Sequence, residues 1–327
     1  MNINRLPTVK KFSEEILKGN RVLLSKAITL IESKRADHQD MAAELLESLL
    51  PYSGNSIRIG ITGVPGVGKS TFIESFGLSL VELNKKPAVL SIDPSSTRSK
   101  GSILGDKTRM DALSKTPQAY IRPSPAGSSL GGVARKTRET VFLCEAAGFD
   151  VIIIETVGVG QSETLVKDMV DFFLLLMLSG GGDDLQGIKR GIMEMADLLA
   201  INKADGNNET PSKLAAKTYQ QALHLFPMHP AGWTVPVTTC SAIQGKGVHE
   251  IWQHIKAYDD QTRDNGFLSA NRTQQNLKWY HDGVRELLEK KWLSDPILMQ
   301  TIKTAEQKVR EGKQSVSAAL TGIRNSF

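Results

Sequence analysis

The chain has 327 residues, of which 40% are hydrophobic and 23% charged, and its formal net charge is +5. This composition is ordinary for a soluble globular protein of one to three domains. The basic residues are spread along the chain without interleaved aromatic residues, so the charge gives no sign of nucleic-acid binding.

The cysteine content and the apolar runs indicate a cytoplasmic protein. Cys144 and Cys240 lie far apart and each stands beside apolar residues, which favours buried free thiols over a disulfide or a zinc site. The N-terminus shows no apolar signal core, and the apolar run 172–178 is too short to span a bilayer. We therefore expect no stable membrane insertion.

Three successive patterns predict the domain organisation. Residues 1–54 carry apolar residues at helical spacing and predict a helical N-terminal extension. Residues 55–262 alternate strand and helix patterns, which predicts the main domain. Residues 263–327 predict two polar helices, 268–292 and 296–320, whose apolar positions cannot form a core alone. These helices either pack back on the main domain or associate with another subunit.

The middle segment predicts an α/β fold with a mainly parallel sheet covered on both faces, because its strands are unbroken apolar runs. The predicted strands are 57–62, 87–93, 149–155, 172–178, 197–202 and 235–240. In such sheets ligands bind at the carboxyl ends of the strands, and the motifs described next fall at those ends.

A phosphate-binding loop follows the first predicted strand. The pattern G-x-x-x-x-G-K-[ST], with the residue after it, comprises Gly63, Val64, Pro65, Gly66, Val67, Gly68, Lys69, Ser70 and Thr71. Backbone N–H groups of such a loop point at phosphate oxygens, and the helix that follows adds a partial positive charge. Lys69 would reach the β- and γ-phosphates, and the Ser70 hydroxyl would ligate Mg²⁺. The alternative is a glycine-rich turn with a stray lysine, which the strand–helix context disfavours.

A second motif predicts that the base is guanine. Asn202-Lys203-Ala204-Asp205 follows a strand, and the Asp205 carboxylate can accept hydrogen bonds from guanine N1–H and the 2-amino group together. Adenine has no 2-amino group and would leave that carboxylate unpaired. Ser241 and Ala242 follow the last predicted strand and could complete the base pocket. The alternatives are a polar loop that begins a helix and a turn of small residues.

Carboxylates at strand ends are the candidate ligands of Mg²⁺, since this ion prefers oxygen donors. Asp93 and Glu155 are each the last residue of a predicted strand, and Asp106 lies in a polar loop. With Lys69 and Ser70, Asp93 and Glu155 are the predicted catalytic and metal-binding groups. Each acid could instead be an ordinary surface residue, although Glu155 ends a strand of branched aliphatic residues and would then be buried at a cost.

Two further segments could sense the nucleotide. In Glu155-Thr-Val-Gly158, which is a D-x-x-G element with Glu in place of Asp, Gly158 would offer its N–H to the γ-phosphate. The stretch 180–191 has a glycine triplet beside two acids and then Gln186 and Lys189. It predicts a nucleotide-sensing loop, with a flexible surface turn as the alternative.

Together these strings resemble the family of GTP-binding chaperones of the B12-dependent methylmalonyl-CoA mutase, which is also named LAO/AO transport system ATPase or arginine/ornithine transport kinase. The strings are 63–71 (GVPGVGKST), 93–96 (DPSS), 155–163 (ETVGVGQSE), 180–191 (GGGDDLQGIKRG) and 202–205 (NKAD). The resemblance covers nearly the whole chain.

The resemblance implies a homodimeric G protein of the class that contains signal-recognition and metallocentre-insertion GTPases. It would bind Mg²⁺ with GTP or GDP, and residues 263–327 would be its dimerisation arm. The segments 93–109, 155–163 and 180–191 would act as three switches. Asp93, Asp106 and Glu155 would then form the metal shell, and Gln186 and Lys189 would carry the third switch's signal to the mutase.

One departure from small signalling GTPases predicts slow intrinsic hydrolysis. Val159 stands where those proteins carry the glutamine that orients water, and Gln161 lies three residues past Gly158. A partner or the dimer would therefore complete the catalytic groups. A kinase or ATPase for amino-acid transport is the main alternative function, and a nickel insertase is a third, although the chain has no His-rich tract or Cys-x-x-Cys motif.

Overall fold

The computed structural model of the protein describes residues 6–92, 110–123, 130–156, 163–180 and 190–324. Its strands are β1 Ile57–Gly63, β2 Pro87–Ile92, β3 Tyr120–Arg122, β4 Val151–Thr156, β5 Phe172–Leu178, β6 Leu198–Asn202 and β7 Val237–Thr239. Within the described ranges these seven strands form one parallel sheet in the order β3-β2-β4-β1-β5-β6-β7. The predicted α/β fold with a mainly parallel sheet is confirmed.

Helices precede the sheet, alternate with its strands and follow it. They are α1 Val9–Leu17, α2 Arg21–Glu32, α3 Ala36–Leu49, α4 Lys69–Glu82, α5 Asp111–Lys115, α6 Leu130–Ala146, α7 Glu163–Lys167, α8 Arg190–Glu194, α9 Glu209–Leu223, α10 Val248–Asp264, α11 Phe267–Leu293, α12 Pro296–Arg310 and α13 Val316–Arg324. Among the described helices, none is both long and apolar enough to cross a membrane.

Alternating strand residues divide the core between the two faces of the sheet. Ile59 and Ile61 pack in one cluster with Phe72 and Phe76 of α4. On the other face Ile152 belongs to a cluster that includes apolar residues of α1, α2, α3 and α6. The central strands are buried on both sides, which explains why they read as unbroken apolar runs.

Two elements differ from the sequence prediction. β3 was not predicted, because three residues beside a helix give too little periodicity to distinguish a strand. The predicted helix 296–320 is interrupted, since α12 ends at Arg310 and α13 begins at Val316. Gly312, with φ +68°, takes the left-handed conformation that ends a helix.

The chain divides into two compact units, residues 1–272 and 273–327. The N-terminal helices belong to the first unit and share a hydrophobic cluster with the sheet. In the second unit, Leu298 of α12 and Ala319 of α13 are buried, whereas Leu287, Ile297 and Leu320 are 61% exposed or more.

Buried ion pairs hold the amino edge of the sheet, where the strands begin. Arg58 of β1 donates to Glu145 at the end of α6 over 2.9 Å, and the Ser56 hydroxyl donates to the same carboxylate over 2.6 Å. Arg272 donates through two nitrogens to Asp171, which precedes β5, at 2.8 and 2.6 Å. These charges satisfy each other within the first unit.

Candidate nucleotide-binding site

The phosphate loop lies between β1 and α4, as the motif predicts. Gly68 has φ +92° and stands directly before the first residue of α4, so the loop turns there in a conformation that suits glycine. A Cβ atom on Gly63 would collide with the carbonyl oxygen of Leu176 in β5. The two motif glycines therefore have different physical roles: Gly68 permits the turn, and Gly63 permits close packing against β5.

Lys69 is held inside this loop. Its Nζ donates to the carbonyl oxygen of Gly63 over 2.9 Å. Burial lowers the pKa of Lys69, while the charges of Glu155 and Glu163 oppose that effect. A partly desolvated ammonium group at the start of a helix is a favourable site for phosphate.

The hydroxyl and the carboxylate predicted for Mg²⁺ come together. The Ser70 Oγ donates to Glu155 Oε1 over 3.2 Å, although the two residues are 85 positions apart. The parallel register places Glu155 opposite Ile61, two residues before the loop begins. Two oxygen donors on adjacent elements fit a hard cation such as Mg²⁺.

The guanine motif is hydrogen-bonded to the phosphate loop. Asn202 is 1% exposed, and its Nδ2 donates to the carbonyl oxygen of Val67 over 2.8 Å. The Lys203 Nζ donates to the carbonyl oxygen of Gly66 over 2.8 Å, and Lys203 itself has φ +60°. These two pairs of residues are 135 and 137 positions apart in the sequence, so the two motifs form one hydrogen-bonded unit.

Ser241 and Ala242 complete this unit. The Ser241 hydroxyl donates to Asp205 Oδ2, and the Ala242 N–H donates to Asn202 Oδ1 over 3.2 Å. The Ser241 Oγ also accepts from the Gln244 N–H over 3.3 Å. The structure therefore orients the Asp205 carboxylate and the Asn202 amide from the segment that follows β7.

Sequence reasoning missed several residues that support the base motif. The Sγ of Cys240 lies 3.6 Å from Asn202 Oδ1, and burial raises the pKa of this thiol to about 12. The carbonyl of Lys246 accepts from the Ser241 N–H over 2.9 Å, and its Nζ pairs with Glu209 over 2.9 Å. Glu163, near the phosphate loop, was missed as well: it is 2% exposed, and its charge partly opposes the lowering of the Lys69 pKa by burial. No pattern marks these residues, because their roles depend on contacts between distant segments.

Some predicted site residues lie outside the described part of the chain. These are Asp93, Asp106, Gly158, Gln161, Gln186 and Lys189. Of the described candidates, the residues of the phosphate loop, Glu155, the guanine motif and the Ser241–Ala242 pair all lie at the carboxyl edge of the sheet.

Several known proteins are similar to this chain over most of its length. A putative GTPase of Caulobacter vibrioides is 51% identical over 320 residues, which are 98% of each protein. The GTPase ArgK of Escherichia coli is 47% identical over 279 residues, which are 85% of this chain and 84% of that protein. A crystal structure titled as an LAO/AO transport system kinase superposes with a TM-score of 0.79 at 36% identity and covers 99% of both chains.

A family profile also matches most of the chain. It is described as "Methylmalonyl Co-A mutase-associated GTPase MeaB" and matches residues 24–296. With the GTPase relatives, this match confirms the predicted family and the predicted GTPase activity. The chain therefore belongs to the family of methylmalonyl Co-A mutase-associated GTPases, MeaB.

Proposed function

We propose that this GTPase is a nucleotide-dependent switch that assists the B12-dependent methylmalonyl-CoA mutase by gating or protecting the loading of its cofactor. The observation that carries the proposal is the direct hydrogen bonding of the guanine motif to the phosphate loop, through Asn202 to Val67 and Lys203 to Gly66. A site of this kind couples the identity of the base to the state of the phosphates. The family description supports the mutase as the partner.

The residues of the site would act on GTP in defined ways. Asp205, oriented by Ser241, would accept from the guanine ring, and Lys69 would stabilise the charge that develops on the phosphates as water attacks. Ser70 and Glu155, with Asp93 and Asp106, would hold Mg²⁺, which neutralises charge on the β- and γ-phosphates when it is bound.

We expect slow intrinsic hydrolysis. Val159 follows Gly158 where a water-orienting glutamine would be required, and Gln161 is displaced by two further positions. The mutase or the second subunit would then complete the catalytic groups.

The segment 180–191 is the proposed relay to the mutase. If Gln186 and Lys189 relay the nucleotide state, then Gln186→Ala and Lys189→Ala should leave GTP turnover of the isolated protein nearly unchanged. Both variants should reduce the acceleration of turnover by the mutase, because coupling belongs to the two linked sites together. The measurement is GTP turnover of each variant with and without purified mutase.

Lys217→Ala is a matched control for this experiment, because Lys217 is an exposed lysine of α9 outside the proposed relay. It should keep the full acceleration. Full acceleration in both relay variants would show that 180–191 does not carry the signal. No acceleration of the wild-type protein by the mutase would contradict the proposed partner.

The segment 263–327 is the proposed dimerisation arm, and its residues 273–327 form the second compact unit. Its exposed apolar side chains include Leu287, Leu293 and Ile297, at 64%, 60% and 80% exposure. Leu287→Glu with Leu293→Glu should therefore give a monomer by light scattering. Leu225→Glu, at an 80% exposed position of the first unit, is the control and should stay dimeric. A dimeric double variant would place the interface elsewhere.

A second candidate function is a kinase or ATPase associated with lysine, arginine and ornithine transport, because the similar solved structure is titled as an LAO/AO transport system kinase. The Asp205 carboxylate argues against ATP. Comparing the affinities for GTP and ATP separates the two functions, since the transport function requires ATP to bind at least as tightly as GTP.

A further inference from the structure

Ser91 carries a buried hydroxyl for which the described part of the chain supplies no hydrogen-bond partner. Ser91 is the residue before the last in β2 and is 6% exposed. Its Oγ has no hydrogen-bond partner among the residues that the structure describes. A buried hydroxyl is unfavourable unless something bonds to it, so its place in the fold is informative.

The register of the sheet places Ser91 beside Glu155. The two residues are direct partners in the parallel pairing of β2 and β4. In-register neighbours project to the same face of a sheet, and side chains alternate along each strand. Val89 and Ile153 belong to the cluster with α4, so Ser91 and Glu155 also project to the face of α4. The Ser70 hydroxyl of α4 already donates to Glu155 on this face.

The hydroxyl groups on the opposite face behave differently. Thr62 and Thr156 are the next residues along β1 and β4, and each is 1% exposed. The Thr156 hydroxyl donates to the Thr62 hydroxyl over 2.8 Å. At the same level of the sheet, the described residues therefore satisfy both buried threonine hydroxyls of one face but not the Ser91 hydroxyl of the other.

We propose that Ser91 is a positioning residue of the Mg²⁺–phosphate site, whose hydroxyl bonds to the Glu155 carboxylate or to a water held by it when the metal is bound. This inference rests on the Mg²⁺ site of the proposed function. A carboxylate offers acceptor sites on both oxygens, so Ser70 and Ser91 can orient it from two adjacent elements. Such outer contacts fix the orientation of a metal ligand and raise metal affinity.

The test uses the full-length protein and its Ser91→Ala and Ser91→Cys variants. Ser91→Cys keeps the size of the side chain but offers only a weak donor. In the presence of saturating GDP, the Mg²⁺ dissociation constant is measured by displacement of Mn²⁺, followed by electron paramagnetic resonance. Both variants should bind Mg²⁺ about 10-fold more weakly. Their GDP affinity in excess EDTA and their metal-free unfolding temperature should match the wild type, because no bond is lost in the metal-free state.

Ser212→Ala is the matched control. Ser212 is also fully buried, and its Oγ has no hydrogen-bond partner in the described chain, but it lies on α9. It should leave the Mg²⁺ dissociation constant unchanged.

Two results would overturn the role of Ser91. One is unchanged Mg²⁺ affinity in both Ser91 variants. The other is an equal loss of GDP affinity with and without Mg²⁺ together with a lower unfolding temperature, which would make Ser91 a packing residue. If the GDP affinity of the wild-type protein is the same with Mg²⁺ and with EDTA, the metal site of the proposed function is itself wrong. The proposed role of Ser91 is then wrong too.

Discussion

The two edges of the sheet hold their buried polar groups in different ways. At the amino edge, Arg58 pairs with Glu145 at 2.9 Å and Arg272 pairs with Asp171 at 2.6 Å. At the carboxyl edge, Lys69 donates to a backbone carbonyl, and burial lowers its pKa. These two arginines of the amino edge pair with carboxylates of the same chain, whereas we expect Lys69 at the carboxyl edge to gain its strongest partner from the bound nucleotide.

This difference separates residues that stabilise the fold from residues that bind. A buried charge paired within the chain becomes costly when its partner is removed. A buried charge that faces a ligand site lowers stability in the empty protein, and binding recovers that cost. Substitutions at the amino edge should therefore change unfolding, and substitutions at the carboxyl edge should change nucleotide affinity.

The largest expected effect is on stability, at the amino edge. Asp171→Ala removes the acceptor of Arg272 and of the Arg58 N–H, which donates to it over 2.8 Å. Leaving the buried Arg272 without its carboxylate partner should cost about 3–5 kcal/mol in the free energy of unfolding, measured by urea denaturation. Asp111→Ala, which breaks an exposed pair with Lys115, should cost under about 1 kcal/mol. Equal losses in both variants would contradict the comparison.

At the carboxyl edge, Lys69→Ala should weaken Mg²⁺-GTP binding by about 2–5 kcal/mol, because it removes a partly desolvated charge from the phosphates. Calorimetric titration measures the affinity, and urea denaturation of the empty protein should show no loss of stability. The exposed Lys217→Ala is again the control. Wild-type GTP turnover in the Lys69 variant would refute the assignment of this loop to phosphate binding.

The lowered pKa of Lys69 predicts a pH dependence of binding. Below that pKa the ammonium is charged in both free and bound protein, so affinity does not change with pH. Above it the free protein has lost the proton, and binding to phosphate must take one up. GDP affinity should therefore fall as pH rises, by at most about 1.4 kcal/mol per pH unit. Titrations in buffers of different ionisation enthalpy measure the uptake, which Lys69→Ala should abolish.

The smallest expected effect concerns Ser241. Ser241→Ala removes the hydroxyl that donates to Asp205 and accepts from the Gln244 N–H. The Asp205 carboxylate remains, so GTP affinity should fall by about 1 kcal/mol, the typical net value of one hydrogen bond. Competition against a fluorescent GDP analogue measures the change. A loss as large as that of Lys69→Ala would mean that Ser241 holds the whole loop in place.

Sequence reasoning succeeded where a pattern repeats or where a motif is local. The central strands are long apolar runs, and the phosphate loop is continuous, so both were predicted from neighbouring residues. β3 has three residues and gives no such run. The break between α12 and α13 depends on Gly312, which alone is a weak signal inside a helical pattern.

Contacts between distant segments could not be predicted. Nothing in the sequence pairs Asn202 with the carbonyl of Val67 or Ser91 with Glu155, since these meetings follow from strand order and register. The buried pairs of the amino edge were missed for the same reason. Arg272 reads as one more charge on a polar helix, although it binds Asp171, which is 101 positions away.

The central claim is that the carboxyl edge is a guanine-nucleotide site in which Asp205 selects the base. The most direct measurement compares the affinities of wild type and Asp205→Asn for GTP and for xanthosine triphosphate. In the variant, GTP should bind about 2–5 kcal/mol more weakly and xanthosine triphosphate more tightly, because the amide can donate to the 2-oxo group where the carboxylate could only accept. Unchanged GTP affinity in Asp205→Asn, with no gain for xanthosine triphosphate, would contradict the account.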